Sequence, residues 1–217
     1  MLRAAVALAD RSGIGSLTMR RLGRELGVEA MSLYKHVAGK NEILGGIVDL
    51  VVAEIEIPTP GSDWKAAMRR RAMSARHVLG RHPWAIGLLE SRGSAGPTVL
   101  RYLDGVLASL RAGGFSVEAA VHAFWVLDSY VYGHVIQETS LPFHTSQELA
   151  GSTGAVLEHL PAGEYPHITE LATRHVMGGA GFDYDTEFEF GLTLVLDALD
   201  AVRTGSEPSD RRVQPLE

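Results

Sequence analysis

Apolar residues recur at three- and four-residue spacing along nearly the whole chain. No run alternates apolar and polar positions in the way a half-buried strand requires. The pattern predicts an all-α protein. A first helix over residues 2–12 stops at Gly13, and Thr18 is placed to cap a short helix over 18–25. Gly27 then separates it from a second short helix over 29–36. A longer helix over 40–56 carries Ile43, Leu44, Ile47, Val48, Val51 and Ile55 on one face, and Pro58, Pro60 and Gly61 end it. This break divides a head, residues 1–45, from a larger body, residues 46–217, with 40–56 as the connecting helix.

In the body the pattern predicts helices from Ser62 or Asp63 to Leu79, from Pro83 to Ser91, over 97–112, from Ser116 to Glu138, over 166–176 and from Asp183 to Val202. Residues 140–164 are expected to be irregular, because Pro142, Gly151, Gly154, Pro161 and Gly163 interrupt them. A loop is expected at Gly178–Gly181 and a frayed tail over 204–217.

Composition narrows the classes. The chain has 217 residues, of which 46% are apolar, enough for a sizeable core. There are no cysteines, so disulfides, thiolate metal sites and a cysteine nucleophile are excluded, and a reducing cytoplasm suits the chain. No uncharged apolar stretch reaches the ~20 residues of a membrane span, so no membrane partner is expected. The net charge of −6 is unevenly spread. Residues 1–45 hold seven Lys/Arg against four acids, a net +3, which leaves −9 for the rest. A basic head on an acidic body points the head toward a polyanion.

The head has the form of two short helices joined by a tight turn, an arrangement that places the second helix in a DNA major groove. Leu22 and Leu26 share a face, Gly27 supplies a left-handed turn, and Val28, Leu33 and Val37 are expected to pack inward. Ala30, Met31 and Ser32 then face base edges. Tyr34, Lys35, His36 and Lys40 are placed to donate to phosphates. A small helical subdomain with solvated charges is the alternative that periodicity alone leaves open.

The stretch from Gly13-Ile14 through Leu17-Thr18-Met19-Arg20-Arg21-Leu22, Leu26-Gly27-Val28 and Ser32-Leu33-Tyr34-Lys35-His36-Val37 to Lys40 resembles the signature of the TetR family of bacterial one-component regulators. Trp64, Gly114-Phe115-Ser116, Gly133 and Phe190-Gly191-Leu192 are similar to its tetracycline-repressor branch. The resemblance implies DNA contacts at Thr18, Arg20, Ala30, Met31, Ser32, Tyr34, Lys35, His36 and Lys40, on double-stranded operator DNA. It implies a cytoplasmic, nucleoid-associated homodimer. Members usually carry a basic extension before the first helix. Here Met1 falls almost at the helix start, so either that arm's affinity is missing or the start has been placed late.

Two body helices are apolar over more than one face. The resemblance implies that they form a four-helix bundle with the partner's pair, and Phe124, Val131, Val135, Leu192, Val195, Leu196 and Leu199 are the expected interface. Ordinary core is the alternative. The body also mixes aromatics with isolated polar groups, as small-molecule sites do. Trp84, Leu88, Tyr102, Phe124, Leu127, Asp128, Val131 and Gln137 are the expected lining, with Trp125, Tyr132 and His144 of the same character. In the tetracycline-repressor branch a histidine and a glutamate hold a drug–magnesium chelate. Their places fall near Leu88 and at Gln137, which offer no such ligands, so a different, largely hydrophobic or aromatic effector is expected.

The nine histidines show no metal-site spacing, and neither a metal nor a cofactor is expected. No nucleophile elbow, phosphate loop or dinucleotide fingerprint is present, which argues against an enzyme. The function expected is a ligand-responsive transcriptional repressor. A small-molecule-binding bundle whose head no longer binds DNA is the alternative, ahead of an unrecognised enzyme.

Overall fold

The structure, a computed structural model, describes residues 1–205 except 62, 92–94, 143–145, 162 and 177–182. The expected loop at Gly178–Gly181, Ser62 as a cap, His144 and most of the expected tail lie outside the described residues. Among those described, eleven α-helices and no strand are found.

The head holds α1 (Leu2–Ser12), α2 (Met19–Leu26) and α3 (Ala30–Leu33), and α4 (Lys40–Val52) leads out of it. The Thr18 hydroxyl accepts from the Arg21 amide at 3.1 Å, satisfying one of the free donors at the start of α2. Gly27, at φ 68°, closes the helix in the left-handed conformation. α3 is shorter than the pattern predicts. Beyond Leu33 the chain continues as turns, with the amides of His36 and Val37 both donating to the Leu33 carbonyl. α4 ends four residues before the expected 56, and Glu56 instead donates its amide to Ser74 at 2.9 Å.

The body runs through α5 (Trp64–Arg81), α6 (Trp84–Ser91), α7 (Pro97–Ala112), α8 (Val117–Ser140), α9 (Ser146–His159), α10 (Pro166–Leu171) and α11 (Tyr184–Arg203), with a π-helical turn at Ala172–Val176. Asp63, Ser116 and Asp183 cap α5, α8 and α11 through their side chains. α9 lies in the stretch expected to be irregular. Gly151 and Gly154 each weaken a helix by ~1 kcal/mol, which is why the local pattern argued against one. The helix packs on the π-helical turn.

Two hydrophobic clusters meet on α4. Ala5, Leu8, Leu17, Leu22, Leu33 and Val37 form the head core together with Ile43 and Ile47 of α4. Val48, Val51 and Val52 of the same helix belong to the body core. Trp84 and Leu88 of α6 pack against both clusters. α8 lies along α5, α7 and α11. It approaches α11 closely at Gly191, where an added Cβ would sit 2.4 Å from the Tyr130 hydroxyl.

Candidate nucleic-acid interface and ligand pocket

The crossing of α2 and α3 depends on a glycine that the sequence pattern does not single out. Gly23 is buried in the middle of α2, and a Cβ there would lie 2.8 Å from the Val28 carbonyl oxygen and 3.2 Å from the Ala30 amide. The Val28 amide donates to the Gly23 carbonyl at 2.9 Å. A glycine inside a run of good helix formers costs ~1 kcal/mol against alanine, which marks the position but not what approaches it. Val28 corrects the expectation made for it: it is 44% exposed and does not return to the core.

α3 presents Met31, 75% exposed, with Tyr34, Lys35 and His36 also exposed beyond it. Ala30 and Ser32 are half-buried, and the Ser32 hydroxyl donates to the Glu29 carbonyl at 2.7 Å. Thr18, Arg20, Arg21 and Arg24 line a concave surface beside α2 together with Ser16 and Glu25. Glu25 is paired with Arg11 at 2.7 Å, so its charge is already met and the concavity is basic. Lys40 opens α4 with its side chain exposed. The Glu42 carboxylate accepts from the Ala38 amide at 2.6 Å and holds the turn before that helix. The expected DNA-facing residues therefore surround α3, and the arginines extend the surface along α2.

Head and body are tied by a polar junction. One Asp10 oxygen accepts from Trp84 Nε1 and meets His82 Nδ1, both at 2.7 Å. His82 is buried, and its other ring nitrogen lies 3.9 Å from Glu54.

In the body a cavity of about 300 Å³ opens between α4, α6, α7 and α8, lined by Val52, Ile55, Leu89, Glu90, Ala95, Val99, Tyr102, Leu103, Phe124, Trp125, Asp128 and Tyr132. Of the expected lining, Tyr102, Phe124 and Asp128 are brought together here. Leu88 instead borders a small neighbouring space beside Asp49 and Gly96. Trp84 sits at the head–body junction, Leu127 and Val131 are fully buried in the core, and Gln137 is exposed on α8. These four and Leu88 do not line the cavity: α8 turns Asp128 and Tyr132 toward it and Leu127 and Val131 into the core, α6 packs Trp84 and Leu88 where the two clusters meet, and Gln137 faces solvent.

Sequence reasoning missed Arg71, which is 1% exposed. Its Nε donates to the Tyr102 hydroxyl at 2.5 Å, and its Nη2 pairs with Asp128. The Tyr132 hydroxyl donates to the second Asp128 oxygen at 3.2 Å. Burial opposes the Arg71 charge, but Tyr102 and the Asp128 carboxylate more than offset it and hold its pKa above the ordinary arginine value. Burial pushes the Tyr102 hydroxyl up to about 12 against the pull of Arg71. Tyr132 is raised as well, by burial and then by the Asp128 charge.

Residues 1–47 match the model of bacterial regulatory proteins of the tetR family, and residues 57–203 match the tetracyclin repressor-like C-terminal domain. The chain belongs to the TetR family. Its relatives include the transcriptional repressor DrrR1 of Streptomyces coeruleorubidus, 33% identical over 93% of this chain and 76% of that one. A transcriptional regulator of Saccharopolyspora erythraea is also 33% identical, over 93% and 83% of the two chains. Among solved structures, ActR of Streptomyces coelicolor without ligand superposes with a TM-score of 0.77 at 26% identity, covering 95% of each chain. ActR in complex with actinorhodin superposes with a TM-score of 0.75 at 28% identity, covering 93% of this chain and 95% of that one.

This TetR-family chain turns the expected interface residues inward. Val131, Val135, Leu192, Leu196 and Leu199 are buried in the subunit's own core, and Phe124 and Val195 pack against it. Both helices are apolar on two faces, and periodicity does not say which face stays inside. Among the described residues, the large apolar side chains left outside are Val117, Val121, Trp125, Val126 and Ile136 of α8 and Phe190, Leu194 and Val202 of α11.

Proposed function

We propose that this TetR-family regulator binds operator DNA as a homodimer in the bacterial cytoplasm, on the nucleoid, and represses transcription until a small hydrophobic or aromatic molecule fills the body cavity. The observation that carries this is the double membership of α4. Ile43 and Ile47 hold the head core, while Val52, at the other end of the helix, forms part of the cavity wall. A molecule that favours a different packing of Val52 and Leu89 therefore changes how the head is held, and its differential affinity sets the size of the response. DrrR1 is named a repressor, and ActR holds actinorhodin in one solved structure, which supports both halves of the reading.

The dimer face of this proposal is the outward side of α8 and α11, centred on Val126, Ile136, Phe190 and Leu194. Two heads related by a two-fold axis then meet two operator half-sites. The DNA-contacting set is Thr18, Arg20, Ala30, Met31, Ser32, Tyr34, Lys35, His36 and Lys40, joined by Arg21 and Arg24.

Fluorescence anisotropy with the DNA flanking the protein's own gene, over a salt series, tests the DNA half. Specific binding that weakens steeply with salt is expected. Lys40→Ala should weaken binding to all sequences alike and lower the salt slope by about 1, whereas Met31 variants should change preference between sequences. Absent or salt-insensitive binding overturns the proposal in favour of a ligand-binding bundle without DNA function.

A further inference from the structure

The floor of the body cavity has an uneven hydrogen-bond count. Asp128 is met by Arg71 and by the Tyr132 hydroxyl. Tyr102 accepts from Arg71 Nε, so among the described residues its own hydroxyl proton is left without an acceptor. Arg71 Nη1 is buried with no hydrogen-bond partner among the described residues. The guanidinium lies just behind the lining, its Cζ 5.2 Å from the Tyr102 ring centre and 5.9 Å from that of Phe124. Among the described residues, the buried end of the cavity thus has two unmet donors beside one carboxylate, each of whose oxygens already accepts a hydrogen bond. Glu90, the other acid of the lining, is exposed. Burial keeps the Tyr102 hydroxyl protonated at any physiological pH. The lining also holds the crossed rings of Phe124 and Trp125, at an interplanar angle of 75°, with Val52 and Leu103.

An apolar slot that ends in an unmet donor selects for a flat molecule with an oxygen acceptor at one end, because a buried donor left unpaired is costly. We infer that the effector of this cavity is an aromatic carbonyl compound, a quinone or aryl ketone, whose carbonyl oxygen accepts the Tyr102 hydroxyl proton. Arg71 and Asp128 are positioning residues: they hold that hydroxyl with its proton turned away from Arg71. A protonated amine offers the Tyr102 hydroxyl proton no acceptor. The inference rests on the cavity being the effector site.

The test uses the full chain and three bicyclic probes of similar size: 1,4-naphthoquinone, naphthalene and 1-naphthylmethylamine, each titrated calorimetrically. The absence of cysteine removes thiol addition to the quinone. Naphthoquinone is expected to bind at least tenfold more tightly than naphthalene, and the amine no better than naphthalene. Tyr102→Phe should abolish the quinone's advantage while leaving naphthalene affinity unchanged. Arg71→Lys, which keeps the charge but loses the fixed Nε donor, should reduce the advantage in part. Equal affinities for quinone and hydrocarbon, an advantage that survives Tyr102→Phe, or preference for the amine overturns the inference, while the aromatic pocket itself stands. Failure of all three probes to bind overturns both.

Discussion

The head and the body of this chain are built on opposite plans. The head core is wholly aliphatic, formed by alanine, leucine, valine and isoleucine, and its polar groups lie on the surface around α3. Among the described residues, the buried polar ones, Arg71, Arg76, His82, Ser109 and Asp128, all belong to the body. The difference follows the ligands each region is suited to. DNA phosphates are met by exposed, mobile donors that exchange water and counterions for the backbone. A small molecule in a cavity is recognised by a few enclosed, directional groups whose partners hold them still. The head is therefore sensitive to backbone fit, and the body to the pairing of buried charge.

The largest effect should come from breaking that pairing. Arg71→Leu leaves the Asp128 carboxylate buried without its cation, and a loss of ~3–5 kcal/mol is expected. The double variant with Asp128→Leu should recover most of it. Urea unfolding followed by circular dichroism measures both. A single-variant loss below ~1 kcal/mol would show that the pair does not carry the body's stability. The matching experiment on the head is Gly23→Ala. Its methyl group meets the backbone at Val28 and Ala30, not a yielding side chain. An overpacking cost of ~1–3 kcal/mol is expected, confined to the head. DNA binding should fall while probe binding in the body is kept. Unchanged DNA affinity would mean that the α2–α3 crossing tolerates the extra space.

These two sites also divide what the sequence discloses from what it withholds. Caps are legible because they are local: Thr18, Ser116 and Asp183 bond amides only three residues away. Gly27 is legible for the same reason. Gly23 is not, because its constraint comes from a carbonyl on the next element. Arg71 follows Arg69 and Arg70 and looks like part of a solvated charge run. Its spacing with Ala67 and Ala75 puts it on the buried face of α5, which is the one signal that singles it out. The faces of α8 and α11 are legible as two apolar stripes each, but which stripe is core depends on neighbours that periodicity does not encode. For the cavity, Tyr102, Phe124 and Asp128 are found by residue type. Leu103, Ile55 and Val52 are not, since nothing distinguishes them from ordinary core.

A smaller effect is expected where the two plans meet. Asp10→Ala removes the acceptor shared by Trp84 and His82. Each donor left unpaired costs ~1–3 kcal/mol where it is buried, less where water reaches it. The change should reach DNA binding through the hold of the body on the head. The quantity to measure is the ratio of operator affinities with and without effector, which typically reflects ~1–3 kcal/mol of coupling. Asp10→Ala should shrink that ratio while leaving probe affinity in the cavity unaltered. An unchanged ratio would place the coupling in α4 alone.

The smallest effect is a pH dependence in the body. His134 lies between α8 and α11, its ring centre 4.9 Å from that of Phe188, and its Nε2 is buried without a hydrogen bond. Glu138 approaches that nitrogen only to 4.0 Å, and Arg76 lies between Glu138 and Asp185. Burial, and then the Arg76 charge, hold the His134 pKa below the usual imidazole value of about 6.5. As pH falls through that value the unfolded chain takes up a proton at this position and the native chain does not. The unfolded state therefore binds more protons in this window, and stability declines until the native pKa is passed. His134→Phe, which keeps the ring among Tyr130 and Phe188, should flatten that decline when urea midpoints are compared between about pH 7.5 and pH 5. Parallel pH profiles for the two proteins would mean that His134 is protonated as readily in the fold as out of it, with Glu138 rather than burial setting its charge.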